Sequence, residues 1–426
     1  MPRIEPFRGI RYADRLADRL GQLIAPPYDV ISPQLQEELY RRDPYNFVRL
    51  EQPDGSSGEG RYRQAAERLG AWIKEGILVQ EERPAFYLYE QEFPLPEGVW
   101  VPEPRAGYRR RALFAAVELV PWGEGVYPHE RTLAAPKADR LRMIETTQAN
   151  LSPVFGILDD PEGRMEEQLR RRAEETAPLV EFSDPDGGRH RLWRIESPEE
   201  VAMLRSELTG PIVVADGHHR YETALAYAQA HGSLSPEDPR RFVLMGLVSS
   251  RSDALLILPI HRVLGGIAEP QVERLPFLLE EIASLTSFAE GNPEPVLGAL
   301  RRAPSSAWAF YARPWGYLLA VLRSGEKEGV GPDRLEVVQL HRSILHGLLG
   351  VDTDDPAAQE RVVYTVRVDE AVERVRSRAA DLAVFLRPLR VADVLEIAYA
   401  GETMPQKSTY FYPKLPSGLV FRLLGS

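Results

Sequence analysis

The chain has 426 residues, 43% of them hydrophobic, and a net charge of −11. That length fits two or three domains, each able to bury a core, and the acidic balance argues against nonspecific nucleic-acid binding, which needs a basic surface. The absence of cysteine excludes disulfides, thiolate metal sites and cysteine nucleophiles; no apolar run approaches the roughly 18–20 residues of a membrane span, and Met1-Pro2-Arg3-Ile4-Glu5-Pro6 is no signal peptide, so a soluble cytoplasmic protein is expected.

Ala25-Pro26-Pro27-Tyr28-Asp29-Val30-Ile31-Ser32-Pro33 reads as a proline-fixed loop leading into a helix from about Gln34. Asp43-Pro44-Tyr45-Asn46-Phe47-Val48-Arg49-Leu50 reads as a turn entering a strand, and Gly55-Ser56-Ser57-Gly58-Glu59-Gly60 as a flexible link. Ala65, Leu69, Trp72 and Ile73 recur at helical spacing over 61–74. Strands are predicted at 86–93 and 112–120, a charged exposed helix at 164–176, another helix at 198–208, and buried strands at 212–215, 242–248 and 254–259. Segments 307–311 and 317–322 suit a hairpin, and 335–349 an amphipathic helix carrying His341 and His346, whose five-residue offset suits packing better than a shared metal. The end, 402–426, is polar and turn-rich before a final strand.

The basic residues are nearly all arginine, lysine occurring only at Lys74, Lys137, Lys327, Lys407 and Lys414. Such a composition fits a thermophile or a GC-rich genome, and it draws attention to lysines beside other polar groups, since an ammonium acts as a point charge for phosphate.

Asp216-Gly217-His218-His219-Arg220 is the most informative stretch. It follows an apolar strand and opens a helix, where unpaired backbone N–H groups attract anions. Read structurally, Asp216 would cap the helix and the histidines would satisfy hydrogen bonds. Adjacent histidines diverge and make a poor zinc pair, so anion binding and positioning are favoured, with Asp216 a candidate magnesium ligand through its carboxylate. Tyr127-Pro128-His129-Glu130-Arg131-Thr132 offers Glu130 as a general base among groups that would tune its pKa. Pro405-Gln406-Lys407-Ser408-Thr409 sets one ammonium and two hydroxyls in a row, a phosphate grip without any P-loop pattern. Tyr28, Asn46 and Arg49, and the polar residues around Asp139-Arg140 and Thr146 to Pro153, are candidate pocket lining.

These residues resemble a family. The DGHHR stretch is similar to the signature of ParB/sulfiredoxin-like proteins and closest to the free-serine kinases of archaea, which carry a Pro-His-Glu element upstream, matched by Pro128-His129-Glu130, and a Pro-Pro-Lys-[Ser/Thr]-Thr element downstream, matched by Pro405-Gln406-Lys407-Ser408-Thr409 except at Gln406. Over nearly its whole length the chain also resembles a large uncharacterised prokaryotic family sharing the PPYDVIS, PYNFVRL, HERT, NLSPVF, ADGHHRYETAL and MPQKSTYFYPKLPSGLVF stretches. The resemblance implies phosphoryl transfer to free serine, with Glu130 as catalytic base and Asp216 placing magnesium. His218, His219, Arg220, Lys407, Ser408 and Thr409 would neutralise the transferred group, with His129, Arg131, Thr132 and Gly217 beside them. Pyrophosphate is the implied donor, with ADP or ATP as alternatives.

A phosphatase or nucleotide hydrolase would use the same grip with water as acceptor. A non-catalytic ParB-like nucleotide or nucleic-acid module and a metal-dependent regulator built on His218 and His219 are the other readings. The expected architecture is mixed α/β: an N-terminal α/β domain (1–115), a ParB/sulfiredoxin-like catalytic core (116–265), an insertion or packing domain (266–390) and a C-terminal segment (391–426) that completes the active site.

Overall fold

A computed structural model describes residues 1–54, 58–131, 134–323, 331–353 and 355–425. The predicted link through Gly55-Ser56-Ser57, Lys327 and Thr132 lie outside the described residues. The protein is mixed α/β and divides into two compact units, one of residues 1–94, 107–255 and 413–426, the other of 95–106 and 256–412.

The first unit is built on a nine-stranded sheet. Its order is Val126–Tyr127, Ile212–Asp216, Val154–Leu158, Phe242–Ser249, Tyr108–Glu118, Phe86–Phe93, Arg189–Ile195 and Val180–Ser183, with Ile4–Glu5 also paired to Tyr108–Glu118. These segments are rich in β-branched and aromatic residues, which fit a pleated surface. One face is apolar: Leu88, Leu113, Val117, Val154, Trp193, Ile212, Val214 and Met245 pack with Ile144, Met165, Leu169, Leu204 and Tyr221 from helices Ala134–Thr147, Arg164–Glu175, Pro198–Glu207 and His218–Ala230. Side chains buried to this degree stabilise by about 1.5–3 kcal/mol each. The opposite face is met by the chain's last residues, and a Cβ on Gly246 would fall 2.4 Å from Leu415 and 2.7 Å from the Phe114 ring.

The second unit holds a six-stranded antiparallel sheet, Ala283–Phe288, Gly316–Leu322, Ala307–Ala312, Leu382–Phe385, His261–Leu264 and Val362–Thr365. Helices Glu294–Arg302 and Val368–Arg376 press Val296, Leu297, Leu300, Ala371, Val372 and Val375 onto it. The hairpin predicted at 307–322 forms with Ala309 opposite Leu319.

Three expectations change. The strand expected around 48–50 is a helical turn, Val48–Glu51, because the Asn46 side-chain carbonyl oxygen accepts the Val48 N–H at 2.9 Å and turns the chain. The helix expected over 335–349 widens to π geometry at Leu340–His346, where His341 is buried; its Nε2 accepts from Arg262 Nε at 3.2 Å and its Nδ1 lies 2.8 Å from the Thr353 hydroxyl. The four expected domains are two units: strands 86–93 and 108–118 join the sheet that carries 212–216, since Leu244 pairs with Ala116 and Leu113 with Leu88. Residues 391–412 fall with the second unit and 413–426 with the first. Among the described residues no helix is long and apolar enough to cross a membrane.

Candidate active site

Strand Ile212–Asp216 ends in a bulge. Val214 stands opposite Gly156 and Asp216 opposite Phe155, so Ala215 is an extra residue that bends the strand just before the DGHHR turn. Gly217 then takes φ +90°, and a Cβ there would meet the Arg220 guanidinium at 2.9–3.1 Å. Only glycine allows that turn into helix His218–Ala230, whose first N–H groups have no carbonyl of their own helix to bond.

The Asp216 carboxylate is buried between two cations. Arg220 Nη2 donates to Oδ2 at 2.6 Å, and the Lys414 ammonium donates to Oδ1. Burial alone would raise this carboxyl, but Lys414 and Arg220 overcome it and hold it down at about 2. The trio carries a net +1. Arg220 also donates to the Pro153 carbonyl and lies 4.0 Å from Asp29. Lys414 was not among the sites read from the sequence.

Strand Val126–Tyr127 runs parallel to this one, Val126 beside Ile212 and Tyr127 beside Val213. Their carboxyl ends therefore emerge together, and Pro128-His129-Glu130 leaves next to Asp216-Gly217-His218. His129 is fully buried; its Nδ1–H donates to the Val214 carbonyl at 2.7 Å, and its backbone N–H meets His218 Nε2 at 3.4 Å. The two rings lie 4.8 Å apart, edge to face. Burial pushes His129 down to about 4 and His218 well below its ordinary value, the His129 ring adding to the latter. His219 is lowered too, by burial, with Glu222 pulling the other way. Held below their ordinary value, His218 and His219 are uncharged at neutral pH and offer hydrogen bonds, while Lys414 and Arg220 carry the positive charge beside Asp216. Glu130 is half-buried and Arg131 exposed, while Thr132 is outside the described residues.

The donor set does not fit the expected magnesium ion. Both Asp216 oxygens are engaged by cations, and no group of three or more His, Asp or Glu side chains suited to a metal occurs among the described residues.

Of the N-terminal candidates, Tyr28 lies under the Arg140 guanidinium, 4.0 Å from its ring centre, and burial raises its hydroxyl to about 12 against the pull of Arg220 and Arg140. Asn46 has its side-chain polar atoms committed to the backbone. Asn46 Nδ2 donates to Gln22 and Ile24 carbonyls at 2.7 and 3.2 Å, and Arg49 donates to the Tyr40 carbonyl at 2.8 Å while stacking on that ring. Lys407, Ser408 and Thr409 belong to the second unit. Lys407 takes φ +58°, its carbonyl accepts from the buried Arg262 at 2.9 Å, and the Ser408 hydroxyl donates to the Pro405 carbonyl at 2.6 Å.

The sequence profile of a family described as "Protein of unknown function (DUF1015)" matches residues 4–345. The chain belongs to the DUF1015 family. No curated protein matches it in sequence. Among solved structures, a conserved hypothetical protein from Pyrococcus furiosus is 13% identical, over 74% of this chain and 95% of that one, at a TM-score of 0.36. A free serine kinase variant in complex with ADP is 14% identical, over 70% and 86%, at 0.36. SbnI from Staphylococcus aureus, truncated at its C-terminus, is 12% identical, over 71% and 85%, at 0.35. Likeness at this level says nothing of the chemistry of this DUF1015 chain.

Proposed function

We propose that the protein is a phosphotransferase of the ParB/sulfiredoxin-like, free-serine-kinase kind, moving a phosphoryl group from pyrophosphate or a nucleotide to the hydroxyl of free L-serine. The observation that carries this reading is the parallel register of Val126–Tyr127 with Ile212–Val213, which brings the Pro128-His129-Glu130 and Asp216-Gly217-His218 elements side by side.

In this reading the serine hydroxyl attacks the terminal phosphorus as the bridging P–O bond breaks, and Glu130 takes the hydroxyl proton. Lys414 and Arg220, held by Asp216, and the N–H groups at the start of helix His218–Ala230 face the charge that builds on the transferred oxygens. His129 and His218, kept neutral, fix the turn through their bonds to Val214 and to each other's segment.

The test is a screen of free amino acids against pyrophosphate, ADP and ATP, reading phosphorylated product by mass. Phosphoserine should form with one donor, and Glu130→Gln should lower kcat by roughly 10²–10⁴-fold. A fall under about threefold would remove Glu130 from the mechanism.

A further inference from the structure

Beside Arg220 the first unit holds a small, partly open cavity, and of its polar walls only Arg220 belongs to the three motifs. It is bordered by Tyr28, Glu51, Arg140, Ser152, Arg220 and Thr223, and has a volume of about 50 Å3. One water needs only about 10–15 Å3 by that measure. The space therefore suits several waters or one small molecule.

Its walls are unusual for a protein interior. Glu51 is 1% exposed, yet its ion pair with Arg140 Nη1 is 3.4 Å long, slack for a charge-assisted bond, and Arg220 acts on it only through space; its other oxygen accepts the Ser152 hydroxyl. The rest of the Arg140 guanidinium is turned to Asp139, at 2.8 and 2.5 Å. Arg220 Nε and the Thr223 hydroxyl, on one helix face three residues apart, are buried with no hydrogen-bond partner among the described residues. A buried carboxylate with a slack partner and two orphaned donors leave a neutral site with room for one more donor and one more acceptor.

We infer that this cavity is the binding site of a small zwitterionic α-amino acid, its ammonium on Glu51 and its carboxylate on Arg140 Nη1, Arg220 Nε and the Thr223 hydroxyl. Cavity size restricts the side chain to one or two carbons. Arg220 is shared between the cavity wall and the Asp216–Lys414 group, so a hydroxyl on that side chain is delivered beside the anion-binding turn. The role given to the amino acid rests on the phosphotransferase reading, while its binding does not.

Calorimetry on the full chain separates the two. L-serine, ethanolamine (no carboxylate) and glycerate (no amine) are titrated with and without methylenediphosphonate, a non-transferable pyrophosphate analogue. Serine should bind, and both analogues should bind at least about tenfold more weakly. Glu51→Gln should weaken serine by about thirtyfold or more and leave glycerate within about twofold. Thr223→Val should weaken serine and glycerate by about three- to tenfold and spare ethanolamine. Thermal melts check folding, and if Glu51→Gln does not fold, Thr223→Val decides alone. No serine binding to the wild type under either condition, equal binding of the three ligands, or serine affinity unchanged in the deciding variant overturns the inference. Phosphoserine formation with an unchanged KM in Glu51→Gln would sink the cavity and leave the phosphotransferase reading standing. Serine binding through Glu51 with no phosphoserine from any donor would do the reverse.

Discussion

Acid should destabilise the first unit in part through His129, and replacing that one side chain should remove its share of the effect. Burial holds its imidazole at about 4 against an ordinary 6.5, the Val214 carbonyl and Asp216 opposing and Lys414 reinforcing the shift. Because the folded value lies below the unfolded one, the unfolded chain binds the extra proton between pH 6.5 and about 4. The stabilisation is thus complete above 6.5 and is lost as pH falls through that window. At about 1.4 kcal/mol per pH step, it amounts to about 3 kcal/mol, a large share of the ~5–15 kcal/mol that holds a typical domain. His129→Asn keeps an N–H for the Val214 carbonyl and removes the titration. Urea unfolding of both proteins from about pH 7.5 to about pH 4.5 should show the wild type losing about 2–3 kcal/mol more than the variant. His218 and His219, lowered by burial, and His261 and His341, held down at about 3 by burial, act with the same sign, so the difference between the two proteins is the quantity to read, not the raw slope. Ring-nitrogen NMR of the wild type should find His129 carrying its proton on Nδ1 down to about pH 5. Parallel pH profiles for the two proteins, or His129 titrating above about pH 6, would refute the reasoning.

Two further substitutions probe the turn. Gly217→Ala forces a side chain to φ +90° and against Arg220, and should cost about 1–3 kcal/mol on urea unfolding together with most of the turnover; wild-type stability would show that the turn relaxes freely. Lys414→Met leaves the buried Asp216 with one cation in place of two and should cost about 3–5 kcal/mol at neutral pH, and a loss under about 1 kcal/mol would mean that Arg220 alone suffices.

Periodicity made most elements legible. The strands 86–93 and 242–248, the helices 61–74, 164–176 and 198–208, and the hairpin 307–322 lie where the side-chain pattern placed them. What periodicity cannot carry is a side chain bonding its own backbone, as Asn46 does to turn 48–51 into a helix. It is equally blind to long-range pairing, which joins strands 4–5, 86–93 and 108–118 to the sheet of the supposed core. At the site, the side-by-side exit of Pro128-His129-Glu130 and Asp216-Gly217-His218 depends on a two-residue strand too short to read as one. Lys414 was in plain view as one of few lysines, but its pairing with Asp216 spans 198 positions and leaves no local trace. The protonation states of the histidines depend on burial, which a motif does not report.

The first unit is assembled from three stretches of chain, and the last of them, 413–426, supplies Lys414. During synthesis Asp216 and Arg220 leave the ribosome long before their ammonium exists, and the whole of 256–412 must be made in between. A nascent or prematurely terminated chain therefore has the DGHHR turn with Arg220 alone on Asp216, and the second cation arrives only when translation reaches the final stretch.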